Sequence, residues 1–184
     1  MLRSRQILGE RSYDARAHQP SDASNWERRA RQLYPAEMQM RTGRLAETGK
    51  PCQFCGIIAG EIAANIIFED EISIAFLDYR PLFPGHCLLV TRQHFPTLLD
   101  LPREIIGPLF TNAQSLTSAV QRTMQADGSF VAMNNIVSQS VPHFHIHIVP
   151  RKSGDGLRGF FWPRHKMSAE ELEAVQQKLK DAIG

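Results

Sequence analysis

Beyond about residue 50 the apolar positions of the chain fall into short runs separated by turn residues. Ile66-Ile67-Phe68-Glu69-Asp70-Glu71 reads as a strand ending in a turn, and Ser73-Ile74-Ala75-Phe76-Leu77-Asp78 as a second strand. Pro81, Pro84 and Gly85 break the pattern before a third strand, His86-Cys87-Leu88-Leu89-Val90-Thr91. The period then changes. Asp100-Leu101-Pro102 opens a helix, with Pro102 suited to its first turn, and Ile105, Leu109, Leu116 and Val120 mark the buried face. Asp127-Gly128 is a turn, Ser129 to Asn134 a fourth strand and Val141 to Val149 a fifth. Ser168-Ala-Glu-Glu171 has the capping-box pattern of a final helix, whose apolar stripe is Leu172, Val175 and Leu179. Strands, a helix, then strands again, without regular alternation, predict an α+β fold with an antiparallel sheet.

The fifth strand carries the chemistry. In Val141-Pro142-His143-Phe144-His145-Ile146-His147-Ile148-Val149 histidine alternates with large apolar residues. Side chains of a strand change face at every residue, so this pattern predicts three imidazoles on one face and hydrophobes on the other. Imidazole suits proton transfer, nucleophilic attack and metal binding near neutral pH. Three of only seven histidines at strict alternation argue against an incidental polar edge.

Residues 1–51 read as an N-terminal extension, partly helical or disordered, ahead of a domain over residues 52–184. Residues 22–34 look helical, with Trp26, Ala30, Leu33 and Tyr34 on one face and Pro35 interrupting. The first 50 residues carry +4 and the remainder −2, giving the net +2. That excess is too weak to argue for a nucleic-acid partner. No apolar run approaches the ~20 residues of a membrane helix, and the first 20 residues lack a signal-like hydrophobic stretch, so the expected location is the cytoplasm. Three cysteines, two of them as Cys52-x-x-Cys55, argue against a disulfide framework. Cys87 lies in an apolar strand and reads as a packed small hydrophobe.

The run His143-Phe-His145-Ile-His147-Ile-Val resembles the signature of the histidine triad (HIT) superfamily, in which each histidine is followed by an apolar residue. The resemblance extends to Cys52-Gln-Phe54-Cys55-Gly-Ile57, Phe76-Leu-Asp78-Tyr-Arg-Pro81 and Pro84-Gly-His86-Cys-Leu88-Leu-Val90, and covers residues 52–151. It implies a five-stranded antiparallel sheet with two main helices that forms a homodimer. It also implies cleavage of a purine nucleotide conjugate at the α-phosphate, through a nucleotidyl-histidine, with release of AMP. His145 is then the nucleophile, and a neutral imidazole whose partner nitrogen donates to an acceptor can fill that role. The resemblance places His147 on a phosphate oxygen and Gln139 and Ser140 where phosphate and leaving group are oriented. Asp78 matches an acidic residue accepting both ribose hydroxyls; a turn aspartate is the plain alternative. Phe54, Ile57, Phe76 and Leu88 match an apolar purine slot, or simply pack as core. Asn134 matches an asparagine near the phosphate, and His86 either lies near the phosphates or only holds its loop.

Two departures bear on the leaving group. Ser138 stands where many members have Gly before the glutamine, and the loop from Asn134 to Gln139 is short. Gly adopts conformations that Ser resists.

The Cys-x-x-Cys clip implies structural zinc by the same resemblance, completed by His94 and His143; two free buried thiols are the alternative. Gly154-Asp-Gly156 through Arg164 is rich in glycine, aromatics and arginine, and suits either a nucleotide cover, with Arg158 or Arg164 on a distal phosphate, or an interface. Rival readings stay open: a dinucleoside polyphosphate phosphorylase, alternating histidines holding a catalytic zinc, or a nucleotide-binding interaction protein without turnover.

Overall fold

Five short amphipathic strands can bury a face only by pairing side by side, and they do so here. The computed structural model describes residues 51–157 and 166–183. The expected helix over 22–34 and the arginines Arg158 and Arg164 lie outside these residues. The strands are β1 (Ile66–Glu69), β2 (Ser73–Leu77), β3 (Cys87–Thr91), β4 (Gly128–Ala132) and β5 (His145–Arg151). Among the described residues the helices are α1 (Gln53–Ile58), α2 (Arg103–Thr123) and α3 (Ala169–Ile183), with a 3-10 turn at Leu98–Asp100. The sheet runs β1-β2-β3-β5-β4, and every pair is antiparallel. The last strand in sequence is thus inserted beside β3 and lies inside the sheet.

Alternation on these strands divides the sheet into two apolar faces. One face, with Ala75, Cys87, Leu89, Ile146 and Ile148, packs with Phe144 and with Ile105, Leu109, Ala113, Leu116 and Val120 of α2. These α2 residues are the predicted stripe with Ala113 added. Truncating a fully buried Leu109 or Ile146 to alanine would cost about 2–5 kcal/mol. The other face carries Ile74, Phe76, Leu88 and Val90, covered by Cys52 and Phe54. Register sets β5 on that face: Val90 pairs with His145, and Leu88 with His147.

A polar clasp fixes the β1–β2 turn to α2. Asp70 Oδ1 accepts the Ile72 and Ser73 backbone N–H groups, and Oδ2 accepts Asn112 Nδ2 at 2.6 Å.

Two strand boundaries differ from expectation. β4 is Gly128–Ala132, and β5 starts at His145, four residues later than predicted. Pro142 has no N–H to give a ladder. The His143 N–H donates locally to the Val141 carbonyl at 2.8 Å, and Phe144 N–H to the Phe95 carbonyl. His143 therefore leaves the row of the other two histidines.

The chain forms two compact units, divided after Lys152. In the second, α3 begins with the predicted capping box: Ser168 Oγ accepts Glu171 N–H, and Glu171 Oε2 accepts Ser168 N–H. Leu172, Val175 and Leu179 of α3 are exposed. Among the described residues no helix is long and apolar enough to cross a membrane.

Candidate active site

Two histidine clusters adjoin one another at the start of β5. The first is a thiol–imidazole pocket. Cys52 caps α1, Cys55 lies on its first turn, His94 follows β3, and His143 precedes β5. One ligand atom from each lies within 4.8 Å of the others. His143 Nδ1 is 3.5 Å from Cys52 Sγ and 3.6 Å from Cys55 Sγ, and His94 Nδ1 is 3.3 Å from Cys55 Sγ. For metal bonds of about 2.0–2.3 Å, tetrahedral nitrogen and sulfur ligands sit about 3.5 Å apart. The donor set and its spacing therefore fit a four-coordinate metal ion. His143 is prepared for it. Its Nε2–H donates to the Thr91 carbonyl at 2.7 Å, which leaves the Nδ1 lone pair facing the thiols. The Cys52 thiol is held far below its ordinary pKa, first by a hydrogen bond from Cys55, with His143 and His94 adding to it. The same bond and burial push Cys55 up, so the pair keeps one proton between them.

The second cluster is His145, His147 and His86. His145 is buried, and its Nδ1 lies 2.6 Å from the His143 carbonyl oxygen. A carbonyl only accepts, so the ring donates from Nδ1 and carries its lone pair on Nε2. Phe54 stands edge-on to this ring at a centroid distance of 5.2 Å. His147 lies beside it, with centroids 5.0 Å apart, and its Nδ1 is 3.0 Å from His86 Nε2. Burial lowers the pKa of all three, and His147 is pushed down to about 4, first by burial and then by its two histidine neighbours. Burial thus favours the neutral form of each ring.

Asp78 directly follows β2 and opens the loop, residues 78–86, that ends at His86. Its Oδ1 accepts the Arg80 N–H at 2.8 Å, and its Oδ2 lies 3.6 Å from His86 Nδ1. Asp78, His86 and His147 also form a group with metal-ligand atoms within 4.8 Å. Phe54, Phe76 and Leu88 are buried and Ile57 is half-buried, all in one apolar cluster. Gln139 turns toward the chain itself: its Nε2 donates to the Pro96 carbonyl at 2.7 Å and its Oε1 accepts the Ile136 N–H at 2.9 Å. Asn134 Nδ2 donates to the Ser138 carbonyl at 3.2 Å, and Ser140 is exposed. This loop is strained where the sequence departs from glycine: φ is +62° at Ser138 and +66° at the β-branched Ile136.

Sequence reasoning called for an acceptor on the partner nitrogen of His145 without naming the His143 carbonyl, and it missed the Thr91 carbonyl and the Leu82 N–H, which donates to His86 Nδ1 at 3.2 Å. All are main-chain groups, which every residue carries, so no residue type could have signalled them.

Comparison with known proteins agrees with this geometry. A family model described as the HIT domain matches residues 59–154. An uncharacterized HIT-like protein of Saccharolobus solfataricus is 34% identical over 72% of this chain and 97% of its own length. An adenosine 5'-monophosphoramidase of Schizosaccharomyces pombe is 30% identical over 72% of this chain and 98% of its own. The crystal structure of a Zn-bound histidine triad family protein from Mycobacterium smegmatis superposes with a TM-score of 0.56, at 34% identity, covering 71% of this chain and 96% of that one. With two histidines of the triad on β5 and the third just before it, the five-stranded antiparallel sheet and these relatives, the chain belongs to the histidine triad family.

Proposed function

We propose that this protein is a nucleotide hydrolase or transferase that cleaves a purine nucleotide conjugate at the α-phosphate. The observation that carries the reading is the buried His145, with its Nε2 lone pair left free by the Nδ1–H bond to His143 and burial favouring its neutral form. Nε2 attacks the α-phosphorus. The bond from phosphorus to the leaving nitrogen or oxygen breaks, and the leaving group takes the electron pair and picks up a proton. Water then attacks the same phosphorus, the phosphorus–Nε2 bond breaks, and AMP leaves with His145 neutral again. His147 donates from Nε2 to a phosphate oxygen, where a fixed donor stabilises developing charge. Asp78 takes the ribose hydroxyls, and the Phe54, Ile57, Phe76 and Leu88 cluster borders the base. Ser140, exposed at the end of the loop, orients the leaving group, while Gln139 and Asn134 hold that loop through their bonds to Pro96, Ile136 and Ser138.

Cys52, Cys55, His94 and His143 would hold zinc, with no open position for substrate, so its contribution is structural. The similarity to a phosphoramidase and to a Zn-bound family member supports both parts of the reading. The protein would work as a homodimer in the cytoplasm, where Cys52, Cys55 and Cys87, none of them in a disulfide, stay reduced.

The test is AMP release from adenosine 5'-phosphoramidate and diadenosine tetraphosphate in parallel, with His145→Ala as control. Turnover that disappears in the variant supports the reading, and the faster substrate names the subclass. Turnover that survives in the variant refutes the nucleophile.

A further inference from the structure

We propose that His86 is a positioning residue that fixes the proton of His147 on Nε2, and that the direction of this assignment is dictated by the Leu82 main chain. His86 is 3% exposed, and both ring nitrogens are engaged within the protein. No nitrogen is left to touch a nucleotide.

The assignment follows from one group that cannot reverse. A backbone N–H only donates, so His86 Nδ1, 3.2 Å from Leu82 N, must accept. A neutral imidazole has one donor and one acceptor, which puts the proton of His86 on Nε2. That N–H faces His147 Nδ1 at 3.0 Å, so Nδ1 accepts, and His147 carries its own proton on Nε2. Burial favours the neutral forms the chain requires. The competing partner is Asp78 Oδ2, which would draw a proton onto His86 Nδ1 and invert the chain. At 3.6 Å it is beyond hydrogen-bond reach, and inversion would set that N–H against the Leu82 N–H.

His145 and His147 therefore hold opposite tautomers on the same face of β5. A carbonyl at His143 makes Nε2 of His145 a lone pair, and an amide at Leu82, acting through His86, makes Nε2 of His147 a donor. One ring can attack phosphorus while its neighbour binds a phosphate oxygen. The same loop carries Asp78, whose N–H donates to the His86 carbonyl, so ribose contact and proton placement share one loop.

The test separates holding the loop from placing the proton. His86→Asn keeps an oxygen near the Nδ1 position to accept the Leu82 N–H but cannot reach His147. His86→Gln sets an amide nitrogen near the Nε2 position. The full chain is labelled with 15N-histidine and its ring nitrogens are read by NMR, alongside turnover. Wild type should show His145 protonated on Nδ1 and His147 on Nε2 with a hydrogen-bonded Nδ1. In His86→Asn the His147 Nδ1 signal should leave its hydrogen-bonded position and turnover should fall by about tenfold or more, with partial return of both in His86→Gln. Wild-type His147 protonated on Nδ1, or unchanged His147 signals in His86→Asn, would overturn the proposal. The turnover arm rests on the nucleotidyl-transfer reading and the NMR arm does not. If wild type cleaves nothing, that reading fails while the ring-nitrogen signals still decide this one.

Discussion

His143 and His145 are joined through the main chain: the Nδ1–H of His145 donates to the His143 carbonyl at 2.6 Å, while the His143 ring faces Cys52 and Cys55. One residue thus borders both clusters. Cys52→Ser should lower the zinc content and reduce stability by about 3–5 kcal/mol, at the large end of single substitutions. Turnover should fall less than it does on loss of His145. Metal analysis with calorimetric melting checks this, and unchanged zinc and melting would remove the metal assignment.

His145→Ala should lower kcat by about 10³ or more, because no other lone pair replaces Nε2. Nucleotide affinity should change little, since the apolar cluster and Asp78 are untouched. Titration calorimetry with AMP beside steady-state kinetics separates the two effects.

Acid should weaken the fold through His147. Its folded pKa is about 4, below the 6.5 of an unperturbed imidazole, so below pH 6.5 the unfolded chain binds a proton that the folded chain refuses. Stability falls as pH drops from 6.5 and levels off for this group below about 4. Melting curves at pH 7 and pH 5 should differ, and the gap should narrow in His147→Gln. An equal gap in the variant would assign the acid sensitivity elsewhere.

Ser138→Gly should stabilise the protein by up to about 1 kcal/mol, because φ of +62° favours glycine. Denaturant unfolding measures it. A loss of stability would mean that the flexibility gained by the unfolded chain outweighs the strain relieved.

Much of this was legible in the sequence. The alternation His145-Ile146-His147-Ile148 gave the two faces of β5, and the periodicity over Ile105 to Val120 gave the buried side of α2. The departure at Ser138 marked a strained position. What escaped was set by tertiary contact. His143 leaves the strand because Thr91 and the thiols hold its ring, 52 and 88 or more positions away in sequence. The His86–His147 pair is a product of β3–β5 register, and Gln139 is held by a Pro96 carbonyl that carries no sequence signal.

The strict facing of β5 has a consequence for mutational scanning. Phe144, Ile146 and Ile148 are wholly buried against α2, while His145 and His147 lie on the opposite face, paired with Val90 and Leu88. A saturation library across these five codons should sort by parity. Even positions would be lost through low abundance of folded protein, at about 2–5 kcal/mol for each truncation to alanine. Odd positions would keep more folded protein under conservative exchange and fail first in the assay, so expression and activity screens would weight alternate positions of this segment differently.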